Sequence, residues 1–297
     1  MRFKPIVYLC LVIFSAGCTA HTPDLSEEWV QLFNGKNLDG WEIKIAGHAR
    51  GENFNNNFYV QDSILKVDYS RYLRFNREFG HLYYKEPFSY YRIRVQYRFT
   101  GQQLQGGPDY AYLNSGVMLH SQSASTVGIN QSFPVSLEMQ LLASDSNQKR
   151  TNGNLCTPGT QVDMKGSLVN SHCINSDSKS SYVDEWVTAE AVVLGDSIIH
   201  HIINGDTVLT YEHPGIGGGF VNNELTWAIG GFGADSISWI QKQGMPLKSG
   251  YIALQAESHP VEFRKVELLN LKGCMDKSAL NYKPYYIKAD NSKCKYK

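Results

Sequence analysis

The sequence predicts an all-β chain folded as a two-sheet antiparallel β-sandwich of jelly-roll type. Three observations carry that expectation. Apolar and polar residues alternate in segment after segment, whereas the i, i+3, i+4 spacing of an amphipathic helix is hard to find. Turn-forming residues separate these segments at short intervals. Aromatic residues are plentiful, with 18 tyrosines, and they suit the pleated, half-buried surface of a sheet.

The first 17 residues read as an address rather than as structure. Arg2 and Lys4 make a short basic start, and residues 6–14 form an apolar run too short to span a bilayer as a mature helix. Ser15-Ala16-Gly17-Cys18 resembles a lipobox, in which the cysteine is acylated and becomes the new N-terminus, although Ser15 stands where leucine is usual. An ordinary signal peptide cut nearby is the alternative. Either way the chain is expected to be exported. Lipid on Cys18 would hold it to a membrane while the rest stays soluble. Thr19 in place of aspartate points to the outer membrane, facing the periplasm or the cell surface. Residues 18–28 then read as a linker.

The strands follow in order. Residues 91–99 place Tyr91, Ile93, Val95, Tyr97 and Phe99 on one face and Arg92, Arg94, Gln96 and Arg98 on the other. Segments 115–119, 135–142, 186–194, 198–203, 208–211, 251–255 and 261–271 behave alike. Asn204-Gly205 suits a tight hairpin between two of them. Two long stretches, 144–184 and 214–249, show no such pattern; loops of that length are functional or held by a staple.

Cys10 and Cys18 fall in the leader, which leaves Cys156, Cys173, Cys274 and Cys294 of the six cysteines. In an oxidising compartment an even set reads as two disulfides, the local pairing 156–173 and 274–294 being the simplest. A zinc site is the competing reading, but no close CxxC pair is present. Lys+Arg and Asp+Glu balance at 28 each, so no strong field draws the chain to nucleic acid. Residues 272–297 change character. Gly273-Cys274-Met275-Asp276, then Ala279-Leu280-Asn281-Tyr282-Lys283-Pro284 and Cys294-Lys295-Tyr296, resemble the short tail modules appended to many exported bacterial proteins. Too small to bury a core, such a unit needs its disulfide.

Four motifs in order carry a wider resemblance. They are Leu32-Phe33-Asn34-Gly35-Lys36-Asn37-Leu38-Asp39-Gly40-Trp41, Asn114-Ser115-Gly116-Val117, Glu138-Met139-Gln140, and Gly250-Tyr251-Ile252-Ala253-Leu254-Gln255 with Val261-Glu262-Phe263-Arg264. Together the chain from about 29 to 271 resembles the 3-keto-disaccharide hydrolases, concanavalin A-like jelly rolls related in shape to laminin-G modules and to family 16 glycoside hydrolases. The resemblance implies carbohydrate as the partner, bound on a concave sheet. It implies cleavage of glycosides that carry a ketone at C3, by elimination and hydration or by hydrolysis. A non-catalytic carbohydrate-binding lipoprotein is the alternative, because folds of this kind serve both ends.

Period-two geometry puts Ser136, Glu138 and Gln140 opposite the core residues of their strand, and groups Asn114, Gly116, Met118 and His120 on one face of the preceding strand. The expected catalytic residues are Glu138 and His120. The expected substrate-binding residues are Arg98, Asn114, Gln140, Gln255, His259 and Arg264. Glu138 or His120 would take the C2 proton acidified by the ketone; Arg98, Gln140 or a divalent cation would hold the enediolate. Arg98 and Arg264 can equally be framework ion pairs, and His200 with His201 alternate across a strand, which suits a structural role. Only Glu138 is acidic on its strand, so the Glu-x-Asp-x-x-Glu pattern of family 16 is missing.

Overall fold

The computed structural model describes residues 26–169, 171–218, 231–232 and 236–297. Within them two antiparallel sheets stack face to face. Strands with one apolar face require this, since each must bury that face against a second layer. The ten-stranded sheet runs Ser167–Val169, Thr160–Met164, Asp206–Ile216, Ile198–Ile203, Val187–Leu194, Tyr90–Phe99, Val261–Asn270, Ile64–Val67, Phe58–Gln61, with Val30–Gln31 added beside Val261–Asn270. The seven-stranded sheet runs Cys173–Ile174, Asn154–Cys156, Leu137–Leu142, Asn114–Ser121, Tyr251–Ala256, Gly80–Tyr84, Trp41–Ile45.

The expected alternation is realised in the core. Tyr91, Ile93, Val95, Tyr97 and Phe99 are buried and meet Val117, Leu119, Leu137, Met139 and Leu141 from the other sheet. Each such side chain contributes about 1.5–3 kcal/mol by leaving water. On the outer face of the ten-stranded sheet the intervening residues form an ion-pair ladder. Arg92 reaches Glu190 at 2.6 Å, Arg94 reaches Glu267 at 2.8 Å, and Arg98 reaches Glu262 at 2.7 Å. Trp186 lies between the guanidiniums of Arg98 and Arg264, 4.7 and 4.4 Å from its ring centre.

The Asn204-Gly205 turn has both residues at positive φ, 49° and 94°, the geometry of a two-residue hairpin. The hairpin joining Phe58–Gln61 to Ile64–Val67 does the same with Asp62 and Ser63, at φ 54° and 59°. Without a glycine to announce it, that turn and its short strands escape period-two reading. The stretch 144–184 is also more ordered than its pattern suggests. It contributes Asn154–Cys156, Thr160–Met164, Ser167–Val169 and Cys173–Ile174. Strands of two to five residues are too short for alternation to register.

Both disulfides take the local pairing. Cys156–Cys173 bridges two directly opposed strand positions, and Cys274–Cys294 closes the tail. The tail is tied inside by Tyr296, which donates its hydroxyl to Asp276 at 2.7 Å, and outside by Lys283, which meets Glu28 at 2.5 Å. The leader and Cys18 lie outside the described residues, as does most of 219–235. Among the described residues no helix is long and apolar enough to cross a membrane.

Candidate functional site

A cleft of about 780 Å³ opens on the outer face of the seven-stranded sheet. Its floor is set by strand register. Glu138 stands opposite Met118 on one side and Cys156 on the other, and Gln140 stands opposite Gly116 and Asn154. Because successive side chains alternate, Glu138 and Gln140 both point away from the core, as expected. Facing away from the core does not leave the carboxyl in open solvent, however: Glu138 is only 6% exposed. Loops from residues 69–79, 101–113 and 122–135, together with the disulfide, rise around the floor and cover it.

Glu138, Asn114 and Gln140 therefore share the cleft, and the structure adds Glu257, just past the Tyr251–Ala256 strand. Burial pushes the Glu138 carboxyl up to about 8. Burial, and then the charge of Glu138, push Glu257 well above the usual carboxylate range. Two carboxyls in one dry site cannot both ionise cheaply, so the pair holds a proton at neutral pH. Glu257 lies on no strand and follows an alanine, so alternation gave no reason to single it out. Its signal is visible only in the fold.

Several buried polar atoms on this sheet face lack a partner among the described residues: Asn114 Oδ1, both amide atoms of Gln255, and Glu257 Oε2. Asn114 is oriented by its Nδ2, which donates to the Tyr110 carbonyl at 2.9 Å. Gln140 accepts from Asn154 Nδ2 at 3.2 Å. Gln255 is fully buried and stands opposite His81, which in turn stands opposite Lys44. It belongs to the same sheet face but is not part of the cleft lining. His81, which alternation left without a role, is held neutral there, pushed down to about 3 by burial and then by Lys44.

Four expected site residues are elsewhere. His120 sits at a register shift where Asn114–Ser121 pairs with Tyr251–Ala256, with φ at +49°. Such a bulge breaks the alternation. Its ring turns inward, edge-on to Tyr91, and Nε2–H donates to the Gly195 carbonyl at 3.1 Å. Burial lowers it to about 4, so it is a neutral core histidine. Arg98 and Arg264 are on the other sheet altogether, in the ladder around Trp186; Arg264 donates to Gln96 at 3.0 Å. Arg98 makes the framework ion pair that its residue type also allowed, with Glu262, whereas Arg264 is held by the Gln96 amide and the Trp186 ring without a carboxylate partner. His259 is buried between Phe99 and Tyr112, at 5.7 and 5.5 Å between ring centres, and is not part of the cleft lining. His200 and His201 bond to Thr210, and to Gly153 and Tyr211, in keeping with a structural role.

The one trio of described residues with metal-ligand side chains in reach of one another is Cys156, His172 and Cys173. Its two sulfurs are joined in the disulfide, so it offers no thiolate.

The structure is thus a jelly roll with a carboxyl pair buried in a cleft on one sheet. The chain belongs to the family of 3-keto-alpha-glucoside-1,2-lyase-like domains, whose family model matches residues 28–269. No curated protein matches the chain. Similar solved structures include a candidate glycosyl hydrolase from Parabacteroides distasonis, at 16% identity and TM-score 0.46, covering 82% of this chain and 93% of that one. A laminarinase from Rhodothermus marinus is similar at 12% identity and TM-score 0.41, with 84% and 98% covered. A carbohydrate-binding module from Bacillus subtilis is similar at 6% identity and TM-score 0.38, with 82% and 95% covered.

Proposed function

We propose that the chain is an exported, glycoside-cleaving lipoprotein acting on sugars that carry a ketone at C3. The observation that carries this reading is the Glu138–Glu257 pair, two buried carboxyls of raised proton affinity in one cleft. The ketone acidifies the C2 proton. Glu138, ionising near neutral pH, is matched to remove it. Electron density then moves onto the C3 oxygen, and the side-chain amides of Asn114 and Gln140 are the donors at hand on the floor. As the C3 carbonyl re-forms, the C1–O bond breaks and a C1–C2 double bond remains. Glu257, still protonated, delivers the proton that the leaving oxygen needs. Addition of water across the double bond completes the cleavage.

Tyr110, 59% exposed on the cleft rim, offers a ring face to a sugar. Export and acylation at Cys18 belong to the same proposal and rest on the leader residues; incorporation of labelled palmitate, abolished by Cys18→Ser, is the outcome they require.

The test is turnover by protein truncated at Cys18, offered 3-keto-glucosides beside their unoxidised parents, with and without chelator. Selective cleavage of the keto substrate supports the proposal, and sensitivity to chelator would add a cation to it. Binding of sugar with no cleavage of either substrate would overturn it in favour of a carbohydrate-binding module.

A further inference from the structure

The cleft has charges that cleavage of a neutral sugar does not use. Arg74 and Arg77 both line it. Four arginines elsewhere are matched with carboxylates, Arg50 with Glu42, Arg92 and Arg94 with Glu190, and Arg98 with Glu262, while Arg150 and Arg264 are held by carbonyls or an amide. Among the described residues no carboxylate pairs with Arg74 or Arg77. The other titratable side chains of the lining are Glu138, Glu257, His172 and Tyr110. Burial favours the protonated form of both carboxyls and the neutral imidazole of His172, so at most one negative charge, on Glu138, faces the two arginines. In a chain of zero formal net charge, the cleft therefore carries a net positive charge.

The backbone that carries the two arginines is seated, while both side chains are exposed to the cleft. Phe75, between them, is buried and its N–H donates to the Gln105 carbonyl at 2.8 Å, while its ring packs on Phe79 at 5.1 Å. Arg74 lies across Gly106, where a β-carbon would come within 2.8 Å of its Cγ and Nε; only glycine leaves room for it. Arg77 takes a left-handed backbone, φ 67°, which costs a residue with a β-carbon roughly 1 kcal/mol and is held by the Phe79 N–H to Arg77 carbonyl bond at 2.8 Å. A guanidinium presents a planar fork of N–H donors that matches a carboxylate or a sulfate, and it keeps its charge at any working pH.

We infer that the cleft selects glycosides bearing an anionic substituent, a uronic carboxylate or a sulfate ester, which Arg74 and Arg77 bind while the Glu138 side faces the scissile bond. This deepens the proposed function and rests on the cleft being a sugar site. Ketone chemistry and anion binding remain separable, because affinity is read without turnover.

The experiment is calorimetric titration of the purified chain with unoxidised disaccharides, α- and β-linked. Three kinds are compared: one with a glucuronic acid unit, one with a sulfate ester, and the uncharged parent. At least tenfold tighter binding of one anionic ligand is expected, with the advantage shrinking as salt is raised. It should vanish in the double variant Arg74→Ala, Arg77→Ala and survive in part in the double Lys variant. Which anion binds decides between carboxylate and sulfate. Equal affinity for the uncharged parent, no binding of either anion, or a preference that persists in the double Ala variant would overturn the inference. An anion preference without turnover on any keto substrate would sink the cleavage reading and leave this one standing.

Discussion

Gly116 and Glu138 occupy adjacent strands so closely that a β-carbon on Gly116 would sit 2.7 Å from the Glu138 Oε1 and 2.8 Å from its Cγ. The carboxyl lies over the glycine, and that contact places it. Gly116→Ala should push Glu138 out of position. A fall in kcat/KM on the order of 10²-fold is expected, since small misplacements of a reacting group cost that much. The Tm should drop by only a few degrees. Wild-type turnover in this variant would show that the position of Glu138 is immaterial.

Glu138→Gln removes the base but keeps the shape. A loss of about 10²–10⁴ in kcat is expected with sugar affinity retained, the usual scale for a general base. Turnover by the parent should rise with pH up to about 8, because only the ionised Glu138 accepts a proton. A rate that is flat between pH 5 and 8 counts against this assignment.

The same carboxyl makes stability depend on pH. Its folded pKa lies above the unfolded value, so folding favours the protonated form. Stability is therefore fully present below about 4.5 and declines as pH rises toward about 8. Glu138→Gln escapes the penalty. Its Tm should equal that of the parent at pH 4.5 and exceed it at pH 9 by about 4 °C or more, corresponding to ~1–2 kcal/mol in a domain of this size. Parallel Tm curves for the two proteins would remove the argument from burial.

Arg98→Ala should act on the framework alone. Glu262 is nearly buried and keeps only Lys66, at 3.0 Å, when Arg98 is gone. A cost of about 1–3 kcal/mol in stability is expected from urea unfolding, with sugar affinity unchanged. Weaker sugar binding by a stably folded variant would return Arg98 to the site.

The Cys156–Cys173 bridge closes a sequence separation of 17 residues and stands directly beside Glu138. Cys156→Ser with Cys173→Ser should cost about 3 kcal/mol, the loop-closure value for that length. It should also impair turnover more than stability at 25 °C explains, because the cleft wall loses its tie. Unchanged kinetics would make the staple purely structural.

Much of the fold was legible because side-chain alternation is a strictly local consequence of extended backbone. Tyr91 to Phe99 pack inward and Arg92 to Arg98 outward wherever that strand is placed, and Glu138 and Gln140 face away from the core for the same reason. Parity along a strand says nothing of which sheet the strand joins. Arg98 and Glu138 both face outward, on opposite sides of the molecule. Nor does parity survive a bulge, which is why His120 turned inward. The strength of a buried acid was invisible as well. It depends on loops 69–79 and 122–135 closing over Glu138, and on Glu257 arriving beside it from a position 119 residues later in the chain. Local spacing determined which residues can share a face. Desolvation and charge pairing, which are properties of the assembled volume, decided which of them form a site.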